Sequence, residues 1–275
     1  MISIKSEYEI SIMREASKIL VKVFEEVEKL ITPGTSTEEI DLKAESLILE
    51  CKAIPAFKGY QGFPKSICTS INHEVIHGIP KKEVFIRDGD IISIDIGLKY
   101  KGYYADSAKT YPVGNVSEDK LKLLRVTEES LYKGIEAAKP GKRVSEISDA
   151  IEKHINYYGY GIVEEFTGHG IGRNLHEEPQ VLNFKTTNQT PILKSGMTIC
   201  IEPMVNIGSK EISILKDGWT VVTKDKKASA HYEHMVLINE NGCEVLTMRE
   251  EVMHGKKWCN WSRSEGNRSS SEYKI

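Results

Sequence analysis

The feature that most constrains the fold is a pair of motifs that recur at one offset. Residues 33–40 (PGTSTEEI) are matched 107 residues later by 140–147 (PGKRVSEI). At the same offset, residues 88–95 (DGDIISID) are matched by 195–202 (SGMTICIE). Each copy has a helix-breaking Pro-Gly pair before a helical segment, and later a glycine before an apolar strand. Two matches that share an offset predict two similar halves related by a pseudo-twofold axis.

Hydrophobic periodicity predicts the helices and the main strands. Ser6 and Glu9 form a capping box, and apolar residues at spacings of three and four then continue until Pro33-Gly34 ends the first helix. A second helix is predicted from Thr35 or Thr37 to about Cys51. The remaining predicted elements are helices at 118–138 and 144–158 and strands at 91–100, 103–113, 198–202, 220–223 and 231–239.

Composition excludes several classes of protein. Lys and Arg number 37 against 40 Asp and Glu, so a net charge of −3 gives no electrostatic case for a nucleic-acid partner. No apolar run approaches the roughly 20 residues that span a bilayer, and the charged N-terminus does not look like a secretory signal. A cytoplasmic protein with no membrane partner is therefore expected. The five cysteines are scattered, which argues against a disulfide framework or a cysteine zinc site, and Cys51, Cys200 and Cys243 are interpreted as small buried apolar side chains.

Four acidic residues lie in strand-like apolar surroundings. In both halves the recurring strand ends on a carboxylate, Asp95 in one and Glu202 in the other, and Asp106 and Glu233 have similar neighbours. One such acid alone is more simply explained as capping a loop. Four together would need several Lys or Arg in the same interior, and these segments do not supply them. Because buried unpaired charge is costly, the sequence predicts a metal cation between them.

His169 is the candidate nitrogen ligand of this centre. It lies between Gly168 and Gly170, in what is interpreted as a glycine turn that lets the imidazole reach inward. A histidine in such a turn often only hydrogen-bonds to backbone, but four converging carboxylates favour the ligand role. A phosphate-binding glycine loop is rejected, because no suitable strand precedes it and no helix clearly follows. Five ligands exceed the needs of one tetrahedral ion and predict two divalent ions roughly 3.5–4 Å apart, of Mn, Fe, Co or Zn.

At these residues the chain resembles the type I methionine aminopeptidases, a metal-dependent family with the pita-bread fold. The matching segments are SIN (70–72), HGIP (77–80), IDIG (94–97), YYADSAKT (103–110), TGHGIGRNLHEEP (167–179), IEPMV (201–205), KDGWT (216–220) and HYEH (231–234). The bacterial-type enzymes fit best, because neither the eukaryotic zinc-binding extension nor the type II insertion is present. The resemblance implies an α+β fold whose two pseudo-symmetric halves form a curved antiparallel sheet covered by helices.

The resemblance also implies a domain organisation. Residues 1–250 would form one catalytic domain, with pseudo-repeats at about 6–113 and 118–248. The Ser- and Arg-rich residues 251–275 match nothing in the family and are expected to form a mobile tail.

The family's site residues carry over to specific positions. The metal ligands are implied to be Asp95, Asp106, His169, Glu202 and Glu233, with Asp106 and Glu233 bridging the ions. Glu202 would also accept the proton of the attacking water, His176 would hydrogen-bond the carbonyl oxygen or oxyanion, and His77 the scissile nitrogen. The methionine pocket is implied to comprise Tyr60, Phe63, Cys68, Leu175 and Trp219 together with His77 and His176, with Phe57 near its rim. Ordinary core packing remains the alternative for these aromatic residues and for Cys68.

The implied activity is removal of the N-terminal methionine from nascent proteins, through a water that bridges the two ions. The implied substrates are N-terminal Met peptides met near the ribosome by a cytoplasmic monomer. Two alternatives stay open: an Xaa-Pro aminopeptidase or prolidase of the same fold, and a non-catalytic binding protein that shares it.

Overall fold

Two pairs of helices and one large sheet organise the chain. The computed structural model describes residues 2–249 and the backbone of Val252–Met253 and Lys256–Lys257. Its helices are α1 (Glu7–Glu28), α2 (Thr37–Glu50), α3 (Glu118–Ala137) and α4 (Val144–Tyr158), with a 3₁₀ turn at Tyr60–Gly62. Its strands are β1 (Ile54–Pro55), β2 (Cys68–Ile71), β3 (Glu74–Ile76), β4 (Ile91–Tyr100), β5 (Tyr103–Pro112), β6 (Gly161–Ile162), β7 (Gly168–Gly170), β8 (Glu177–Val181), β9 (Thr198–Ile201), β10 (Met204–Asn206), β11 (Ile212–Ile214), β12 (Val221–Thr223), β13 (Ser229–His231), β14 (Glu233–Asn239), β15 (Gly242–Val245), β16 (Val252–Met253) and β17 (Lys256–Lys257). The four predicted helices and the long β4–β5 hairpin are confirmed.

The two halves repeat the same backbone hydrogen bonds, which confirms the pseudo-symmetric architecture. Helices α2 and α4 begin 107 residues apart, and each follows the recurring Pro-Gly turn. The equivalent bonds are Gly34 N–H to Ile86 O (2.8 Å) with Gly141 N–H to Leu193 O (2.9 Å), and Thr37 N–H to Val84 O (2.9 Å) with Val144 N–H to Pro191 O (3.0 Å). In each pair, the donor and the acceptor of the second bond lie 107 positions after the donor and the acceptor of the first. The expected boundaries of the repeats remain a prediction.

The large sheet is antiparallel and joins the halves through a short seam. Its order is β1-β4-β5-β14-β9-β7-β8, with β2 also on β4 and β15 also on β14. Strands β4 and β5 pair along their whole length, whereas β5 meets β14 only at Glu233 opposite Ala108 and His234 opposite Ser107. This seam therefore brings the middle of β5 against the strand that begins with Glu233.

Strand alternation separates the core from the site. Ile92, Ile94, Ile96 and Leu98 of β4 are fully buried in the core that contains the apolar residues of α1 and α2. Because successive side chains of a strand point to opposite faces, Asp95 lies on the other face of the sheet. The apolar burial that holds the helices on the sheet thus fixes the direction of the carboxylate.

The interpretation of Gly168-His169-Gly170 as a glycine turn is wrong. These residues form β7, which pairs with β8 and β9. A Cβ on Gly168 would collide with the carbonyl oxygen of Cys200, and one on Gly170 with that of Glu178. The glycines serve close approach of neighbouring strands, and not a change in chain direction.

Two further predictions need comment. The strand expected at 231–239 is divided into β13 and β14, with Tyr232 between them. Most of the tail expected at 251–275 lies outside the described residues, apart from the four that form the β16–β17 ladder. Within the described residues, no helix is both long enough and apolar enough to cross a membrane.

A matched pair of caps tests how the α2 helix is held. The Ser36 hydroxyl accepts a hydrogen bond from Glu39 N–H (3.2 Å), whereas Ser117, at the start of α3, makes no side-chain capping bond. We expect Ser36→Ala to lower the free energy of unfolding by about 1 kcal/mol. Ser117→Ala should change it by less than about 0.5 kcal/mol. Urea unfolding of both variants measures the difference, and equal effects would contradict the assignment.

Candidate metal centre

Carboxylates from three strands meet on one face of the sheet. Ligand atoms of Asp95 in β4, Asp106 in β5 and Glu233 in β14 lie within 4.8 Å of one another. Asp106 is opposite Gly97 in the β4–β5 hairpin, and Asp95 is opposite Ala108, so the hairpin register sets both acids close together. Glu233 reaches them across the seam, since it also pairs with Ala108.

His169 and Glu202 complete the group of five predicted ligands. Nε2 of His169 lies 3.5 Å from Oε1 of Glu202. Nδ1 of His169 is 2.9 Å from the carbonyl oxygen of Gly170, to which it donates, so Nε2 is left with a free lone pair on the side of the carboxylates. Burial lowers the pKa of His169 to about 3, which keeps the ring neutral at neutral pH. A neutral imidazole held in this way is suited to ligating a metal.

The carboxylates are buried beyond what their neighbours can compensate. Burial and the charge of Glu233 raise the pKa of Asp95 to about 7. Burial also raises the pKa of Asp106, Glu202 and Glu233 well above the ordinary range, and neighbouring carboxylates add to the shift in each case. One oxygen of each of the four acids is buried without a hydrogen-bond partner. Unpartnered carboxylate oxygens around a neutral imidazole fit divalent cations, since oxygen and nitrogen donors are the ligands such ions take.

Aromatic rings and two further histidines lie beside the five ligands. The ring of His176 is 4.4 Å from that of His169, and its Nδ1 is 2.9 Å from the Tyr60 hydroxyl. Trp219 lies edge-on to Phe63 at 5.2 Å and to His77 at 6.3 Å. The aromatic residues and histidines predicted for the pocket therefore form two groups in contact, Tyr60 with His176 and Trp219 with Phe63 and His77.

The remaining predicted pocket residues, Cys68 and Leu175, are also buried. Cys68 is opposite Asp95 in the β2–β4 pairing, and Leu175, directly before His176, packs into the core with α1. Phe57 packs against that same core, which agrees with the alternative of ordinary packing.

Sequence reasoning missed the position of Cys200 beside the predicted ligands. Its side chain is buried, as expected, but Sγ lies within 4.8 Å of ligand atoms of His169 and Glu233. Burial, together with the charges of Glu233 and Asp106, raises the pKa of this thiol well above its ordinary value. Strand alternation was the available signal, because residues 200 and 202 face the same side of the chain.

His231 was also missed, although it precedes Glu233 by two positions and strand alternation offered the same signal. Its Nε2 is buried without a hydrogen-bond partner, 3.7 Å from Oε2 of Glu202. Burial lowers the pKa of His231, so the ring is neutral at neutral pH.

Arg249 is the third residue that the sequence did not reveal. It is 5% exposed, donates to the Ser107 hydroxyl (2.8 Å) and to the Ala108 carbonyl oxygen (3.3 Å), and lies over the Phe24 ring. The Ser107 hydroxyl in turn donates to the Glu233 carbonyl oxygen (2.6 Å). A basic residue therefore does reach this interior, although it comes from a segment outside those that carry the acids.

Comparison with known proteins agrees with this geometry. Residues 11–240 match the sequence model of metallopeptidase family M24. Methionine aminopeptidase 1 of Bacillus subtilis is 53% identical over 247 residues, which are 90% of this chain and 99% of the relative. The methionine aminopeptidase of Escherichia coli is 45% identical over 251 residues, which are 91% of this chain and 95% of the relative.

Solved structures give the same result. The crystal structure of methionine aminopeptidase from Thermotoga maritima superposes with a TM-score of 0.88 at 42% identity, covering 90% of this chain and 99% of that one. The prolidase of Pyrococcus furiosus has a TM-score of 0.75 at 29% identity, covering 90% of this chain and 66% of that one. The chain belongs to metallopeptidase family M24 and, within it, to the methionine aminopeptidases.

Proposed function

We propose that the protein removes the N-terminal methionine from nascent polypeptides by metal-dependent hydrolysis of the first peptide bond. The observation that carries the proposal is the meeting of four buried carboxylates and a neutral imidazole beside an aromatic pocket. A non-catalytic member of the fold would have no need to retain a group of charges that is costly to bury.

The proposed ligands are Asp95, Asp106, His169, Glu202 and Glu233, which would hold two divalent ions. Their donors are mostly carboxylate oxygens with one imidazole nitrogen, which suits Mn, Fe, Co or Zn. When bound, such ions supply Lewis acidity that makes a water molecule a stronger nucleophile at neutral pH.

Glu202 is proposed to accept the proton of the attacking water and to pass it to the leaving amine. Its Oε1 is buried without a hydrogen-bond partner, and its two oxygens face His169 and His231 at 3.5 and 3.7 Å. Among the ion pairs of the described residues, the only basic partners of Glu202 are these two histidines. Burial lowers the pKa of both rings, so that both are neutral at neutral pH. Glu202 is therefore available for proton transfer.

His176 and His77 are proposed to donate hydrogen bonds to the reacting amide. The Tyr60 hydroxyl lies 2.9 Å from Nδ1 of His176. With this hydroxyl as the donor, the ring proton would lie on Nε2, where it would meet the substrate carbonyl oxygen. Burial lowers the pKa of His77 to about 4, so the ring is neutral at neutral pH. It can therefore donate to the scissile nitrogen without adding a positive charge to the site.

The pocket formed by Tyr60, Phe63, Cys68, Leu175 and Trp219 is proposed to select methionine. The edge-on contact between Phe63 and Trp219 presents an apolar, polarizable wall. A thioether interacts favourably with such rings, and an unbranched side chain can enter between them.

The setting of the activity is also a proposal. We infer that the substrates are N-terminal Met peptides met close to the ribosome, and that the enzyme works as a cytoplasmic monomer. Residues 1–250 would then act as a single catalytic domain.

A comparison of substrates tests the assignment against prolidase activity. The similarity to the Pyrococcus furiosus prolidase suggests this alternative. The protein reconstituted with Mn²⁺ or Co²⁺ should release methionine from Met-Ala-Ser. Its kcat/KM for this peptide should exceed that for an Xaa-Pro dipeptide by at least about 100-fold, because the pocket recognises the first side chain. Preference for the Xaa-Pro peptide would overturn the proposal.

Two substitutions separate metal binding from the other roles of the site. His176→Ala should retain both ions, measured by elemental analysis, and lower kcat by about 100-fold or more, since it removes one donor to the oxyanion. Glu202→Gln should lose both turnover and metal, because a neutral amide is a poor ligand and cannot accept the proton. Full turnover by either variant would contradict its assigned role.

Tyr60→Phe tests whether the hydroxyl orients His176 or Tyr60 only lines the pocket. The ring remains, so KM should stay within about 3-fold, whereas loss of the 2.9 Å hydrogen bond should lower kcat by about 10-fold. Phe63→Leu is the companion variant, since it alters the pocket wall without touching His176 and should mainly raise KM. Unchanged kcat in Tyr60→Phe would restrict Tyr60 to the pocket.

A further inference from the structure

A buried ion pair joins the N-terminal segment to the turn that carries His176. Nζ of Lys5 lies 2.8 Å from Oε2 of Glu177, and the two side chains are only 3% and 12% exposed. Lys5 is the one lysine in the described part of the chain whose side chain is buried. Burying such a pair brings little stability compared with an apolar pair of the same size, so it needs another explanation.

Glu177 uses its second oxygen to hold the same turn. Its Oε1 accepts a hydrogen bond from Asn174 N–H (3.0 Å). A Cβ on Gly172 would lie 2.6 Å from Cε of Lys5 and 2.9 and 3.0 Å from the Glu177 oxygens, so the ion pair packs directly on this glycine. The Gly172 carbonyl oxygen accepts from Tyr104 N–H (2.9 Å), two residues before Asp106. The turn is thereby fixed to the strand that supplies a proposed metal ligand.

The backbone of Lys5 is fixed independently of its side chain. Lys5 N–H donates to the carbonyl oxygen of Gly196 (2.8 Å), in the turn that leads into β9 and on to Glu202. One residue therefore spans the turn before Glu202 and the turn that holds His176. These two proposed catalytic side chains belong to segments that are distant in sequence, and Lys5 contacts the turn next to each of them.

His176 needs such an anchor because it lies at the open side of the site. It is exposed and is directly followed by Glu177, while on its other side Leu175 is buried in the core. We propose that Lys5, through Glu177, is a positioning residue that holds His176 in place for the reaction. This inference rests on the role given to His176 in the proposed function.

The test compares two cations attached to the same turn. Lys5→Met keeps the length of the side chain and removes its charge. Arg173→Met is the matched control, because Arg173 pairs with Glu9 at 3.2 Å but its side chain is 70% exposed. We expect Lys5→Met to lower kcat by about 10-fold with KM within about 3-fold, since small displacements of a catalytic group cost rate. Arg173→Met should change neither value, and Lys5→Arg, which keeps a cation, should recover most of the loss.

A double-mutant cycle separates positioning of His176 from a general structural effect. If Lys5 acts only through His176, Lys5→Met should cause no further loss of kcat in the His176→Ala background. Circular dichroism and metal content, measured on every variant, restrict the comparison to folded, metal-loaded enzyme. An equal loss of kcat in both backgrounds would overturn the inference, as would wild-type kcat in Lys5→Met.

Two outcomes need their own variants. If Lys5→Met does not fold, the pair Lys5→Met with Glu177→Leu replaces the charges by apolar volume, and it should fold and show the same 10-fold lower kcat. Wild-type kcat in that pair would overturn the inference. Full turnover by His176→Ala alone would instead overturn the role of His176 in the proposed function, and the inference about Lys5 with it. Wild-type kcat in the Lys5 variants alone would overturn only the inference about Lys5.

Discussion

The structure depends on how the mutual repulsion of four carboxylates buried in one place is compensated. Asp95, Asp106, Glu202 and Glu233 each have an oxygen without a hydrogen-bond partner, and burial raises the pKa of all four. The guanidinium of Arg249, which donates a hydrogen bond to the Ser107 hydroxyl at the seam, offsets at most one of these charges. Divalent cations can supply the remaining compensation, and the register of β4, β5 and β14 brings ligand atoms of Asp95, Asp106 and Glu233 within 4.8 Å of one another.

The internal repeat explains some of the site and leaves some of it unexplained. Asp95 and Glu202 are equivalent by the 107-residue offset, and each follows an apolar strand. Asp106 and Glu233 are not related by that offset, and they meet because the halves join at the two-residue seam between β5 and β14. The histidines proposed for catalysis have no counterparts in the other half. Symmetry thus supports the acids that are proposed to bind metal, while segments specific to each half add the histidines that are proposed to act on the substrate.

The sequence indicated which acids lie close together because their signal is local. An acid at the end of an apolar strand is unusual on its own terms, and four of them could be recognised without knowing the fold. The strand at Gly168–Gly170 was taken for a turn, because glycine allows both a reversal and a close strand contact and the sequence does not distinguish them. Cys200 and His231 could have been found by alternation from Glu202 and Glu233. Arg249 and Lys5 could not, since each reaches the site from a segment distant in sequence that has no local sign of it.

Ligands and catalytic donors are held in place by different means. The carboxylates stand on paired strands whose ladders fix the backbone on both sides, so their positions follow from the fold. His176 stands on a turn: its ring shares a hydrogen bond with Tyr60, and the turn itself is held by the ion pair between Lys5 and Glu177. Because these bonds are made by few atoms, exchanging one of them can move the donor without unfolding the sheet or releasing the ions. Rate and metal affinity are therefore only partly separable in the proposed site, since His176 would affect the rate alone whereas Glu202 would affect both.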